Sequence, residues 1–443
     1  MNYSAKAEGI RRVPIRHIIL ALLFIITTIN YADRATISIA GSAIKKDLHI
    51  DSVTLGFLFS AFGWSYVVGQ FPGGYLLDRF GSKKVYLASI VAWSLCTFAQ
   101  GFASWLTPAA AVAALFVLRL LLGLAESPSL PANSRIVAAW FPGHERGTAA
   151  AIFNTGQYAA LVFFSPLMGW IIHKYNWHFV FFVMGAIGLV AALVFAQVVY
   201  APHSHPRVTV QEFQHIAANG ALVDLDRSHD ATKVKVRWDV VRQLLTNRML
   251  VGIYMGQYCM TALTYFFTTW FPVYLVEARH MTVVQAGFGA VAPALCGVAG
   301  GIMGGLISDA LLKKGKSLTF ARKAPLVAGA LLSTAIVLCN FTGSQGLIIA
   351  FMSLGFLGKG IAALGWAIIS DAAPQAFTGL SAGIFNAFGN IAGITTPIAI
   401  GYIRQATGSF DVALMFVALH SILCILAYLF IVGPIRRFEL ESV

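Results

Sequence analysis

From its first residues onward the chain alternates long apolar runs with short polar breaks. Twelve runs stand out, at 17–40, 52–77, 85–104, 107–131, 147–171, 178–200, 249–276, 283–308, 324–342, 346–370, 380–402 and 412–433. Each is long enough to cross a bilayer as a helix, because a hydrocarbon core of about 30 Å needs roughly 20 residues. Only 201–248 is polar over a long stretch. The pattern predicts an all-α integral membrane protein in two six-helix bundles, 1–200 and 249–443, joined by a cytoplasmic linker at 201–248.

Lysine and arginine set the orientation. With the N-terminus inside, 23 of the 31 basic residues fall in cytoplasmic segments, five in outer loops and three within spans. This is the positive-inside bias, and it predicts both termini in the cytoplasm. The first run follows Arg11, Arg12 and Arg16 but contains Asn30, Tyr31, Asp33 and Arg34 and lacks a small-residue cleavage site. It reads as a retained span rather than a secretory signal.

The halves repeat. Gly147-Thr-Ala-Ala-Ala-Ile-Phe-Asn154 matches Gly379-Leu-Ser-Ala-Gly-Ile-Phe-Asn386 at an offset of 232, as do Pro142 with Pro374 and Gly169-Trp-Ile171 with Gly401-Tyr-Ile403. Gly74-Tyr-Leu-Leu-Asp78 matches Gly305-Leu-Ile-Ser-Asp309 at an offset of 231. A unit duplicated in one orientation implies two parallel bundles with a site between them.

Composition narrows the classes. At 58% hydrophobic and 11% charged, the chain has too little polar surface for a soluble protein of its length. The +13 charge does not point to nucleic acid, because its carriers cluster on one membrane face. The five cysteines sit in apolar stretches without metal or disulfide spacing. The spans hold no paired His or His/Asp cluster, and His203, His205, His215 and His229 lie in the linker. No catalytic residue, metal or cofactor is therefore expected, and an integral-membrane enzyme is disfavoured.

Function must be argued from the ionisable residues inside spans, which cost roughly 2.5 to 3.5 kcal/mol each at a helix centre and so need a partner or a purpose. There are five: Asp33, Arg34, Arg119, Glu126 and Lys359. Tyr31 and Arg34 share a face of the first helix, and the planar fork of Arg34 suits a carboxylate. Asp33 is rotated away, free to titrate; alternatively, Asp33 and Arg34 form a local neutral pair. Arg119 and Glu126 share a face of helix 4, roughly 10 Å apart along its axis, too far to touch without a kink or a third group. Pro128 and Pro131 loosen the backbone just beyond. A carboxyl set between burial and a nearby arginine is suited to carry a proton, although a fixed structural pair is the rival reading.

Lys359 falls near the midpoint of helix 10, with Trp366 and Ser370 seven and eleven positions on, within about 20° of the same face. A cation, an indole and a hydroxyl at mid-depth suit an organic anion; a pair with Asp371 is the alternative, about 18 Å away along the helix. Asn154 and Gln157 on helix 5, Asn386 at the repeat-related position of helix 11, Tyr66 and Gln70 on helix 2, and Tyr254, Tyr258, Thr261 and Tyr265 on helix 7 add polar groups suited to a polyhydroxylated solute. Any one of them alternatively bridges helices.

Gly74-Tyr-Leu-Leu-Asp78-Arg79-Phe-Gly81-Ser-Lys83-Lys84 resembles the signature loop between helices 2 and 3 of the major facilitator superfamily. That resemblance implies the major facilitator fold, with Asp78, Arg79, Lys83 and Lys84 as a cytoplasmic charge network latching one conformation. Further strings, Asn30-Tyr-Ala-Asp-Arg34, Gln70-Phe-Pro-Gly-Gly74, Glu126-Ser-Pro128 and Trp140-Phe-Pro-Gly-His-Glu-Arg146, resemble its anion:cation symporter family. Asn30-Tyr-Ala-Asp-Arg-Ala-Thr36, Ile136-Val-Ala-Ala-Trp140, Gly358-Lys-Gly360 and Ser370-Asp371 are most similar to the bacterial D-glucarate/D-galactarate proton symporters.

The resemblance implies proton-driven import of a sugar-acid dianion across the bacterial inner membrane by a carrier functional as a monomer. Asp33 and Glu126 would carry protons, with Arg119 modulating Glu126. Tyr31, Arg34, Tyr66, Gln157, Trp366, Ser370 and Asn386 would contact the substrate. Related aldonate carriers have Asn where this chain has Lys359, which implies that Arg34 holds one hexarate carboxylate and Lys359 the other. An aldonate or hexuronate symporter is the nearest alternative.

Overall fold

A computed structural model describes residues 13–226, 238–374 and 377–440. Among these, twelve helices are long and apolar enough to span a bilayer. They are α1 (Ile15–Ile39), α2 (Ser52–Phe80), α3 (Ser82–Trp105), α4 (Pro108–Trp140), α5 (Arg146–Lys174), α6 (Trp177–Val198), α7 (Arg248–Glu277), α8 (Val283–Lys313), α9 (Leu318–Phe341), α10 (Gln345–Ala372), α11 (Thr378–Thr407) and α12 (Asp411–Ile431). An even number of spans puts the start of α1 and the end of α12 on one face, called here the termini face; the opposite one is the far face.

Spans α4, α10, α7 and α8 are interrupted where the sequence weakens the helical ladder. α4 breaks at Glu126–Ser129, where Pro128 lacks a backbone donor and the Ser129 hydroxyl donates to the Glu126 carbonyl at 2.6 Å. It then resumes and carries Arg135 on a helix, not in the loop expected after residue 131. α10 breaks between Ile361 and Gly365, in a glycine-rich stretch. α7 passes through a π-helical segment at Phe266–Trp270, just before Pro272. α8 is broken at Ala290, ahead of Pro293.

Small residues let backbones meet. A Cβ on Gly300 of α8 would collide with the Leu357 carbonyl of α10, and one on Gly358 of α10 with the Gly329 carbonyl of α9. Such contacts replace the hydrophobic drive that lipid cannot supply between helices.

The two bundles touch along α1–α7, α2–α11 and α5–α8, and they do so towards the far face. A Cβ on Gly56 or Gly63 of α2 would strike the backbone of Pro397 or Gly393 of α11, and one on Gly287 of α8 the Ser165 carbonyl of α5. The Ser38 hydroxyl of α1 donates to the Thr269 carbonyl of α7 at 2.5 Å. Lys45 meets Glu277 of the other bundle at 3.0 Å, and Arg404 stands 3.8 Å from the same carboxylate. Towards the termini face the bundles part: Gly74, Gly147, Gly305, Gly379 and Gly383 have open space where a side chain would go. The chain is closed at the far face and open at the termini face.

Residues 201–226 depart from the irregular, solvated linker expected. They dock beneath the first bundle, with a helix at Val210–Ala218. Glu212 accepts from the Ile15 and Arg16 amides at 3.1 Å each, satisfying orphan donors at the start of α1. Leu222 N donates to the Ala138 carbonyl at 2.9 Å. Among the described residues no three or more His, Cys, Asp or Glu side chains gather as metal ligands; His229, Arg11 and Arg12 lie outside them.

Candidate functional site

Arg34 organises the inner end of the vestibule. One turn earlier on α1, Asn30 accepts from its NH2 group at 3.0 Å, and Glu126 of α4 accepts from its Nε at 2.7 Å. Its guanidinium carbon lies 4.5 Å from the ring centre of Tyr31 and 4.7 Å from those of Phe62 and Tyr66. Three aromatic faces around a cation attract it and exclude water from its planar sides. The edge of the guanidinium is where Glu126 and Asn30 bind, and the side chain is 16% exposed.

Glu126 is fully buried, and its second oxygen has no hydrogen bond. Asp33 is fully buried with both oxygens unpartnered. Arg119 is buried, its Nε and NH1 without partners and its guanidinium carbon 5.6 Å from the Phe62 ring. Two rival readings are thereby set aside. Arg34 does not form a local pair with Asp33, and Glu126 is ion-paired with Arg34 rather than Arg119, because the break after Glu126 turns its carboxyl towards α1. Two carboxyls and two guanidiniums share one interior, where buried polar atoms without protein partners ordinarily meet water.

The second bundle contributes Lys359. Among the described residues it has no ion pair or hydrogen bond; its ammonium lies 5.4 Å from the Phe356 ring centre. The alternative partner Asp371 is taken by Arg322 at 2.8 Å. The break in α10 interrupts the continuous stripe expected from Lys359 to Trp366 and Ser370. Trp366 is half exposed and meets Phe385 edge-on, while Ser370 is exposed and donates to the Trp366 carbonyl.

Asn386 donates to Gln70 at 3.4 Å, joining α11 to α2 at the level where the bundles begin to part. Tyr66 is buried against Arg34, and Gln157 is partly exposed on α5. Of the α7 stripe, Tyr254 is buried against Phe388 inside the second bundle and so does not line the vestibule. Tyr265 donates to Asn390 at 3.2 Å. Asn390 was not singled out from sequence, although it follows Asn386 by one helical turn.

At the termini face Asp78 pairs with Arg135 of α4 at 2.6 Å, not with the basic residues that follow it. Arg135 also reaches Asp226 of the linker at 3.3 Å, and Asp226 accepts from the Ser82 amide and hydroxyl. Arg79 turns to Tyr75, and Lys83 caps the Ala196 carbonyl over the Tyr200 ring. In the second bundle Arg322 takes the corresponding central place between Asp309 and Asp371.

Residues 23–322 match the family model described as Major Facilitator Superfamily. The chain belongs to the Major Facilitator Superfamily. It is a multi-pass membrane transporter of this superfamily and not an enzyme. A protein of Bacillus subtilis strain 168 described as a probable galactarate/D-glucarate transporter is 54% identical over 100% of this chain and 97% of its own length. The D-galactonate transporter of Escherichia coli O6:H1 is 37% identical over 95% and 96%. The superfamily fold is also seen in a D-xylose-proton symporter, which superposes with a TM-score of 0.70 at 15% identity over 94% of this chain and 97% of that one.

Proposed function

We propose that the chain is a proton-coupled importer of a sugar-acid dianion, D-glucarate or D-galactarate, working by alternating access in the bacterial inner membrane. The observation that carries this reading is Arg34, caged by aromatic rings at the vestibule's inner end and bound to a buried carboxylate, with the unpaired Lys359 on the other bundle. Relatives at about half identity over the whole chain are described as transporters of these sugar acids. The basic loops favour a cytoplasmic termini face.

The two partners of Arg34 are alternatives. A substrate carboxylate that takes the Nε edge displaces Glu126, and breaking a buried pair leaves an uncompensated charge costing about 3 to 5 kcal/mol. A proton on Glu126 removes that penalty. Substrate and proton therefore bind together, and loss of both lets Glu126 return to Arg34, the pairing that accompanies the termini-side-open arrangement. Asp33 is the second proton acceptor, Arg119 sets the field at both carboxyls, and Lys359 holds the second carboxylate. Tyr31, Tyr66, Gln157, Trp366, Ser370 and Asn386 meet the hydroxyl-bearing body. The bundles 1–200 and 249–443 rock as units of a monomer, with 201–248 between them. The Asp78–Arg135 pair, within the first bundle, latches the arrangement that is open at the termini face.

The test is uptake into proteoliposomes with an imposed pH gradient and a panel of hexarates, aldonates and hexuronates. Gradient-driven accumulation of hexarates above the others supports the reading. Accumulation indifferent to the gradient, or preference for a monocarboxylate, refutes it.

A further inference from the structure

On α3, Tyr86, Trp93, Thr97 and Gln100 recur at helical spacing and so share one face. All four are fully buried; Trp93 Nε1, Thr97 Oγ1 and Gln100 Oε1 have no hydrogen-bond partner, and Tyr86 Oη has only the Asn133 side chain within reach. The neighbouring Ser94 hydroxyl is also buried and unpartnered. At the lower end of this stripe the Ser89 hydroxyl donates to the carbonyl of Ala125, the residue before Glu126. Tyr86 lies beside Asn133, whose Oδ1 is unpartnered while its amide nitrogen donates to Thr27 at 3.0 Å. From Ser89 the stripe climbs about 16 Å to Gln100, towards the far face. Arg119, roughly 10 Å above Glu126 on α4, stands level with its middle.

Unmet donors and acceptors strung along one buried face are what a file of bound water satisfies. The matching helix of the second bundle is built otherwise. Along α9 the buried face is Leu326, Ala330, Ile336 and Cys339, and the Ser333 hydroxyl donates to Gly329. The polar stripe is thus not a demand of the duplicated packing.

We propose that water threads the first bundle along this face of α3, giving protons a route from the far face to Glu126 and Asp33 that is separate from the substrate vestibule. Each water in the file passes on one proton as it accepts another, so the net movement is one proton to a carboxylate oxygen. The charged and titratable groups facing this interior are Asp33 and Arg34 of α1, Tyr66 of α2, Tyr86 and Cys96 of α3, and Arg119 and Glu126 of α4. α6 brings only His178, at its far end. The charge of Arg119 repels free hydronium and keeps the route from conducting while the carboxylates stay unchanged.

This inference rests on the proton-coupling reading, and the experiment separates the two. Thr97→Val combined with Gln100→Leu removes polar atoms and little volume. The expected result is gradient-driven uptake slowed about fivefold or more, with substrate counterflow unchanged and the rate restored by Thr97→Ser alone. Unchanged gradient-driven uptake overturns the water file, whereas accumulation that survives Glu126→Gln overturns the coupling reading instead. If the double variant loses counterflow as well, radiolytic labelling of the unaltered protein decides. Trp140 and Trp270 are buried, and their indole nitrogens donate to carbonyls, which makes them dry references. Oxidation of Trp93 well above both supports the file, and oxidation no greater than theirs overturns it.

Discussion

Replacing Glu126 with Gln keeps the shape of the pair with Arg34 and removes its charge. In the unaltered protein Arg34 Nε donates to a carboxylate at 2.7 Å inside an aromatic cage. A hydrogen bond between ions is roughly twice as strong as a neutral one, and the net difference is about 1 to 1.5 kcal/mol. A hexarate carboxylate competing for that edge of Arg34 therefore meets a rival weaker by about tenfold. The variant should bind hexarate about tenfold more tightly at neutral pH, lose most of the pH dependence of binding, and exchange labelled for unlabelled substrate. It should fail to accumulate substrate under a pH gradient. Calorimetry in detergent between pH 6 and 8 and counterflow in proteoliposomes measure these outcomes. Weaker binding in Glu126→Gln with its pH dependence intact would refute the competition between Glu126 and the substrate.

Other perturbations test separate parts. Lys359→Asn removes a charge-assisted bond to the second carboxylate, worth about 1.5 to 3 kcal/mol; hexarate affinity should fall at least tenfold and aldonate affinity little, and equal losses in direct binding would contradict the assignment. Glu277→Gln releases Lys45 and Arg404 from a partly exposed site, worth about 1 kcal/mol at most. Thiol labelling of Val53→Cys from the far face should rise up to about fivefold, a Lys45→Glu, Glu277→Lys exchange should reverse that, and constant labelling sinks the gate. Asp51 caps the start of α2 by accepting from the Thr54 amide at 2.7 Å, and its bonds to Thr54 hold its carboxyl below the ordinary aspartate value of 3.8. A depressed folded-state value means that this stability is complete above the unfolded value and disappears as pH falls through the folded one. Asp51→Ala should therefore cost about 1 kcal/mol at neutral pH and progressively less below pH 4, and a pH-independent loss of thermal stability would contradict the cap.

The spans were legible because lipid admits few alternatives to a long apolar helix, and the charges within them drew attention because lipid penalises them. Periodicity gives the faces of a single helix but not how helices are rotated against one another. Arg34 and Glu126 lie 92 positions apart, so each was noticed and their bond was not. The apolar run ends at 131 and puts Arg135 in a loop; the helix instead breaks near Pro128 and resumes through Trp140. The pairing of Asp78 with Arg135 was hidden for the same reason, since local charge pointed to Arg79, Lys83 and Lys84. The face on α10 was drawn through a break that only the glycines around Lys359 foreshadowed. Lys45 and Glu277 gave no local sign of meeting, because they lie 232 positions apart, in different bundles.

The exchange of Arg34 between Glu126 and a substrate carboxylate is tested most directly by counting protons as substrate binds. Titrating hexarate into the purified protein in buffers of different ionisation enthalpy gives that number. Uptake of about one proton per hexarate at neutral pH, vanishing in Glu126→Gln, is the predicted result. Binding with no proton uptake, or uptake that persists in Glu126→Gln, would contradict it.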